Sequence, residues 1–250
     1  MREILVIGVG AGDPEQVTMQ GVSALNRVDV FFVLDKGEVK QELVDLRSEI
    51  LRRYATSKDY RVVVGRDPER DRTASAYVEA VDDWRRRRAD VCTEMIASEL
   101  GEDQVGAFLV WGDPSLYDST LAILDDILAR GELAFAVEVI PGISSVSTLA
   151  ARHKVGLNQV GRPIQITTGR RLAACWPEGV DDVVVMLDAQ TAFTEYLDAD
   201  IYWGAYLGTP DEILISGPLR EVASEIEKVR AEARDRKGWI MDTYLLRRAR

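Results

Sequence analysis

The chain is poor in the residues that most often announce chemistry: it has 2 cysteines and 1 histidine in 250 residues. Cys92 and Cys175 stand far apart, in no metal or redox spacing, so neither a disulfide framework nor a metal site is expected. No run approaches the roughly 18–20 consecutive apolar residues that a membrane helix needs. Met1-Arg2-Glu3 leads straight into an apolar strand, without the basic region, long apolar run and small-residue cleavage site of a leader. A cytoplasmic chain is the expectation. Positive charge is also short, with 31 Lys and Arg against 42 Asp and Glu, a net charge of −11. Nucleic-acid binders usually carry the opposite balance. Nucleic acid and membrane are therefore not expected partners.

What is present is an ordinary globular composition, 46% hydrophobic and 29% charged. Strand-like and helix-like runs alternate. Strands are expected at 4–7, 28–34, 60–64, 108–111 and 135–140. Helices are expected from a Thr18 cap to about 27, and at 40–54, 74–100 and 117–129. A Ser144 cap opens a helix to about 152. Strands at 164–167, 183–187, 201–207, 213–215 and 239–245 follow, with a helix at 219–233. Alternation of this kind gives an α/β architecture. The later strands leave little room for helices, which suggests a mixed sheet and a second domain. The expected boundary is at Pro141-Gly142, giving domains 1–140 and 141–250.

Arg85 to Arg88 are four consecutive arginines, read as the solvated face of a helix beside Asp82, Asp83, Asp90 and Glu94; a polyanion site is the alternative. Tyr77 and Trp84, at helical spacing, read as core. His153 reads as a helix-terminal or packing residue.

Three segments carry the chemical signal. The first is Gly8-Val-Gly-Ala-Gly-Asp-Pro14, after the first strand. It does not fit the dinucleotide fingerprint Gly-x-Gly-x-x-Gly, whose third glycine would fall on Asp13 or Glu15. A tight turn and a ligand loop both remain open for it. The second is Trp111-Gly-Asp-Pro-Ser-Leu-Tyr117, at the carboxyl end of a strand, where open α/β sheets bind ligands. There Gly112 admits a close backbone approach, Pro114 stiffens the turn, and Asp113 could hold an ammonium, ribose hydroxyls or a cation. The third is Ile140-Pro-Gly-Ile-Ser-Ser-Val-Ser-Thr148, whose serines cap a helix and leave backbone N–H groups suited to a carboxylate.

These three motifs, in this order and spacing, resemble the tetrapyrrole methylase family. Ala11 stands where the family pattern has Pro. The resemblance implies two α/β domains with S-adenosylmethionine in the cleft between them, S-adenosylhomocysteine as product, and a homodimer. Further segments sharpen it: Leu34-Asp-Lys-Gly37, Asp67-Pro-Glu-Arg-Asp-Arg72, Ile166-Thr-Thr-Gly-Arg-Arg171, Tyr202-Trp-Gly-Ala-Tyr-Leu-Gly208 and Gly238-Trp-Ile-Met-Asp-Thr-Tyr-Leu-Leu246. They resemble the branch that methylates C1 of precorrin-5 and releases acetate in cobalamin biosynthesis. The implied cofactor contacts are Trp111, Gly112, Asp113, Leu116, Tyr117, Ser144, Ser145, Met186 and Ala205. Gly10 and Gly12 would face the same cleft, nearer the substrate. The substrate is polyanionic, and arginine forks suit carboxylates. Lys36, Arg66, Arg70, Arg72, Arg170 and Arg171 lie in expected loops near strand ends and are the candidate clamp. Methyl transfer needs no nucleophilic side chain. Deacetylation needs a general base, for which Asp35 and Asp188, each ending an apolar strand, are candidates beside the plainer reading as turn aspartates. The rival readings are a nicotinamide oxidoreductase, a same-fold methyltransferase acting on another corrin precursor, a protein or RNA, and a non-catalytic sensor of the cofactor or a tetrapyrrole.

Overall fold

The computed structural model describes residues 1–35, 41–56, 59–69 and 77–248, and leaves the side chains of 41–43 and 77–81 outside the description. The chain divides into two compact units, Met1–Ile143 and Ser144–Arg250. Among the described residues no helix is long and apolar enough to cross a membrane.

In the first unit five strands alternate with four helices: β1 (Arg2–Gly8), α1 (Met19–Leu25), β2 (Val30–Asp35), α2 (Gln41–Tyr54), β3 (Arg61–Arg66), α3 (Tyr77–Glu99), β4 (Val105–Val110), α4 (Thr120–Arg130) and β5 (Phe135–Ile140). The sheet is parallel in the order β3-β2-β4-β1-β5. A parallel strand covered on both faces reads as a continuous apolar run, and Ile4 to Ile7 of β1 have no exposed surface. Ile4, Val6, Phe32 and Phe108 pack with α3 and α4 residues such as Ile96 and Ile127. Leu5, Ile7, Phe31 and Leu109 pack on the other face with Leu25 of α1 and Ile50 of α2. Thr18 caps α1, its Oγ1 accepting from Gly21 N at 2.9 Å.

Toward the carboxyl end of the sheet the central pairing stops. β2 pairs with β4 only as far as Phe32 and Phe108. Beyond that point β2 continues beside β3 to Asp35, and β4 continues beside β1 to Val110.

The second unit contains α5 (Ser145–His153), β6 (Ile164–Thr168), α6 (Gly169–Leu172), β7 (Asp182–Met186), β8 (Ala199–Ala205), β9 (Ile213–Pro218), α7 (Leu219–Lys237) and β10 (Asp242–Arg248). Its sheet is mixed, in the order β6-β7-β10-β8-β9. Only β6 and β7 are parallel; β10 inserts antiparallel between β7 and β8. Trp203, Phe193, Tyr206 and Tyr244 fill the core.

Several expectations need correction. Tyr117 is not helical: its φ of 53° is left-handed, and α4 begins at Thr120. Trp111 lies just past β4, and Trp239 lies before β10, whose first residue is Asp242. The arginine run is solvated only in part. Arg86 and Arg87 pair with Asp83 on the exposed side, whereas Arg88 is buried. Arg88 Nε sits 2.8 Å from Asp67 Oδ1, an ion pair without aligned hydrogen-bond geometry. The same guanidinium donates to Ser119 Oγ and lies over the Trp84 ring. Trp84 is half-buried rather than core, donating Nε1 to Pro68 O. The side chain of Tyr77 lies outside the described residues. His153 ends α5, its Nε2 2.9 Å from Trp203 O.

A second buried ion pair ties α7 to the start of β10. Arg230 Nε donates to Asp242 Oδ2 at 2.9 Å, and Trp203 Nε1 donates to the same oxygen at 3.0 Å. Removing one member of such a pair strands the other charge. Arg230→Met is expected to lower unfolding free energy by about 3–5 kcal/mol, read from urea denaturation. Arg230→Met with Asp242→Asn should recover most of that loss.

Candidate functional site

In the first unit the three glycine-bearing loops after β1, β4 and β5 meet backbone to backbone. Val9 N donates to Val110 O at 2.9 Å and Gly112 N to Gly10 O at 2.8 Å, the latter within an isolated bridge between Gly10 and Gly112. Gly10 has φ 86° and Gly112 has φ 69°, conformations that L side chains resist. A β-carbon on Gly142 would collide with Gly112 O and lie 2.8 Å from Gly8 Cα. Gln16 supports the junction from below, its Oε1 accepting from Ala11 N at 2.9 Å. Gly10 and Gly12 are both buried. Nothing in the sequence pattern pointed to Gln16.

Asp113 fastens this junction. Its Oδ2 accepts from Gly142 N at 2.9 Å; its Oδ1 accepts from Ser115 N at 2.8 Å and from the Ser115 hydroxyl. Burial works to raise its pKa, but these donors outweigh it and hold the carboxyl below the usual carboxylate range. Leu116 is half-buried; Tyr117 is 47% exposed, and partial burial pushes its phenol up.

In the second unit Met186 and Ala205 lie at one end of the sheet, at the last residues of β7 and β8. Thr168, Met186 and Thr243 are in register across β6, β7 and β10, and Asp242 is paired with Ala205 of β8. Ser144 Oγ caps α5 by accepting from Ser147 N, and Ser145 Oγ lies 3.5 Å from Thr243 Oγ1. Left-handed residues follow directly on two candidates: Leu187, φ 55°, after Met186, and Tyr206, φ 50°, after Ala205. With Tyr117, these make three strained non-glycine positions at the candidate set, and such strain clusters at ligand sites.

Arg170 and Arg171 are exposed on α6, which begins where Thr168 ends. Arg66 is exposed at the end of β3, in register with Asp35 of β2. Lys36, Arg70 and Arg72 lie outside the described residues. Asp188 is buried and engaged on both oxygens: Oδ1 accepts from Gln190 N, and Oδ2 accepts from Ala192 N and Tyr244 Oη. It is a turn aspartate, and burial together with its charge pushes the Tyr244 phenol up.

The comparisons with known proteins bear on this arrangement. Residues 3–223 match the family model described as tetrapyrrole (corrin/porphyrin) methylases. The chain belongs to that family. It is 52% identical over 250 residues to a precorrin-6A synthase [deacetylating] of Sinorhizobium sp, covering 99% of this chain and 96% of the relative. A solved structure from Corynebacterium diphtheriae, described as a cobalamin synthesis related protein (CobF), superposes with a TM-score of 0.84 at 37% identity, covering 99% of this chain and 98% of that one. Uroporphyrin-III C-methyl transferase from Thermus thermophilus, solved with S-adenyl homocysteine, shares the fold. Its TM-score is 0.60 at 17% identity, over 98% of this chain and 91% of that one. The chain is thus a methyltransferase of the tetrapyrrole methylase family.

The depressed pKa of Asp113 gives a pH test. Its stabilisation is complete above the unfolded carboxylate value of about 4 and is lost as pH falls through the lower folded value. Asp113→Asn, which cannot ionise, should therefore show a shallower loss of stability between about pH 5 and pH 2. Denaturant midpoints of both proteins across that range measure it.

Proposed function

We propose that the chain methylates C1 of precorrin-5 with S-adenosylmethionine and releases the acetyl group as acetate, giving precorrin-6A in cobalamin biosynthesis. The observation that carries this reading is the near full-length identity to the deacetylating synthase of Sinorhizobium sp. When bound, S-adenosylmethionine supplies an electrophilic methyl group on a sulfonium. What supports this reading is the glycine junction, where Gly112 takes a φ of 69° that side chains resist and has none to hold a ligand off. The proposed contacts are Trp111, Gly112, Asp113, Leu116 and Tyr117 in the first unit, and Ser144, Ser145, Met186 and Ala205 in the second. Trp111 to Tyr117 contains no cation to oppose a sulfonium, and Asp113 is held ionised within that loop. The role of the fold is then to align nucleophilic carbon and methyl at about 3–3.5 Å in line.

Acetyl release requires water and a general base. Asp35, exposed at the end of β2, is the proposed base, with Asp188 the other candidate. Gly10, Gly12, Lys36, Arg66, Arg70, Arg170 and Arg171 are proposed for the polyanionic tetrapyrrole. We further infer a cytoplasmic homodimer; family resemblance supports the dimer.

The test is precorrin-5 with methyl-labelled S-adenosylmethionine, scoring label in the macrocycle and free acetate together. Equimolar label and acetate are expected. Label without acetate would move the methyl to another ring position. Asp35→Asn is expected to lower acetate release by about 100-fold or more while label is still incorporated. Charge reversal at Arg170 and Arg171 should weaken tetrapyrrole binding and spare S-adenosylhomocysteine binding, both read by calorimetry; equal losses would remove the two arginines from the clamp.

A further inference from the structure

Three residues of α3 grip three consecutive residues beyond β3. Trp84 Nε1 donates to Pro68 O at 3.0 Å, Arg87 Nη2 donates to Glu69 O at 3.1 Å, and Arg88 Nε lies 2.8 Å from Asp67 Oδ1. Residues three and four apart share a helix face, so a single turn of α3 reaches all three. Asp67 is held from its other side as well: its N donates to Asp35 O at 3.0 Å, continuing the β2–β3 pairing. Of the three gripping residues only Arg88 is buried, and its guanidinium lies 4.6 Å from the centroid of the Trp84 ring.

The same guanidinium reaches a second loop. Its Nη1 donates to Ser119 Oγ at 2.9 Å. Ser119 is the N-cap of α4, yet its side chain makes no cap bond. A serine there ordinarily accepts from N–H groups of its own helix. Here Asp118 Oδ1 accepts from Thr120 N at 2.7 Å instead. Asp118 also acts by its charge on Arg47 of α2, whose Nε donates to Leu109 O at 3.3 Å. The segment between β4 and α4 is thus held at both ends. At its start are the bridge between Gly10 and Gly112 and the bond of Asp113 Oδ2 to Gly142 N. At its end is Arg88, on Ser119. Left-handed Tyr117 lies between the two anchors.

Replacing a buried ion pair by apolar side chains of similar volume often leaves stability unchanged or raised. What an apolar side chain lacks is direction, which a planar guanidinium supplies by holding its partners at fixed angles. We propose that Arg88 is a positioning residue of the methyltransferase: by joining Asp67 to Ser119 it fixes the α4 end of the loop Trp111–Tyr117, and with it the shape that loop presents to S-adenosylmethionine. This rests on the cofactor contacts proposed above for that loop. Arg88 acts through Ser119 and is not itself a contact. A loop held in its binding shape loses less freedom when the ligand arrives, which strengthens binding. Alignment of methyl and nucleophile is also sensitive to displacements of about 1 Å.

The experiment titrates S-adenosylhomocysteine by calorimetry into the purified full chain, well below its Tm. It compares wild type, Arg88→Met, Ser119→Ala and the double variant, with the Tm of each recorded. Arg88→Met is expected to weaken binding about tenfold and Ser119→Ala about fivefold. The double variant is expected to bind no more weakly than Arg88→Met alone, since the two residues act as one contact. A lowered Tm with both single variants within about twofold of wild-type affinity makes Arg88 a stabilising residue only and overturns the proposal. Losses that multiply in the double variant overturn it too, because the residues then act separately. Should Arg88→Met fail to fold, Ser119→Ala decides: a loss of about fivefold sustains the proposal and wild-type affinity overturns it. A wild type that does not bind S-adenosylhomocysteine removes the proposed cofactor contacts and this role with them. Absence of acetate from precorrin-5 sinks the proposed reaction alone and leaves these binding comparisons intact.

Discussion

The contact that the rest of the first unit depends on is the one between main chains at Gly8, Gly10, Gly112 and Gly142. Three loops at the carboxyl ends of β1, β4 and β5 approach so closely that a single β-carbon at Gly142 would strike Gly112 O. That approach lets one carboxylate, Asp113, reach across from the β4 loop to Gly142 N. It also closes the gap between β1 and β4.

The second unit solves a similar problem with side chains. Its sheet end at Met186, Thr243 and Ala205 is backed by Arg230, which bonds Asp242 and also donates to Asp188 O. Asp188 in turn holds the turn after β7 and the hydroxyl of Tyr244. Left-handed Leu187 and Tyr206 sit directly beyond this network. Strained backbone persists only where its surroundings over-determine it, and a buried ionic network anchored in α7 supplies that constraint.

Much of this was legible in the sequence, and the exceptions have physical reasons. The β1 and β5 segments were plain because both are short apolar runs ended by glycine or proline. Tyr117 looked helical because the run from Thr120 is; its own left-handed backbone, which spacing does not reveal, belongs to the loop before that helix. Arg88 looked solvated because three of its immediate neighbours are arginines, yet Asp67, 21 positions away in sequence, draws it inward. Asp113 stood out within its motif, but its bond to Gly142, 29 positions away, did not. Arg47 is marked in the sequence only by its place, four residues from both Leu43 and Leu51, on the stripe that should be apolar. Gln16 left none, since a glutamine that props a loop looks like any other glutamine.

The position of β1 has a consequence for how the protein is made. Arg2–Gly8 leaves the ribosome well before its two partners, Val105–Val110 and Phe135–Ile140. Until both have been synthesised, a strand whose Ile4 to Ile7 end with no exposed surface has neither neighbour. Parallel pairing over such separations forms slowly, and unpaired apolar strands recruit other chains. The first unit therefore has its most aggregation-prone segment waiting longest for its place, whereas β8 and β9 in the second unit become partners almost as soon as they are joined.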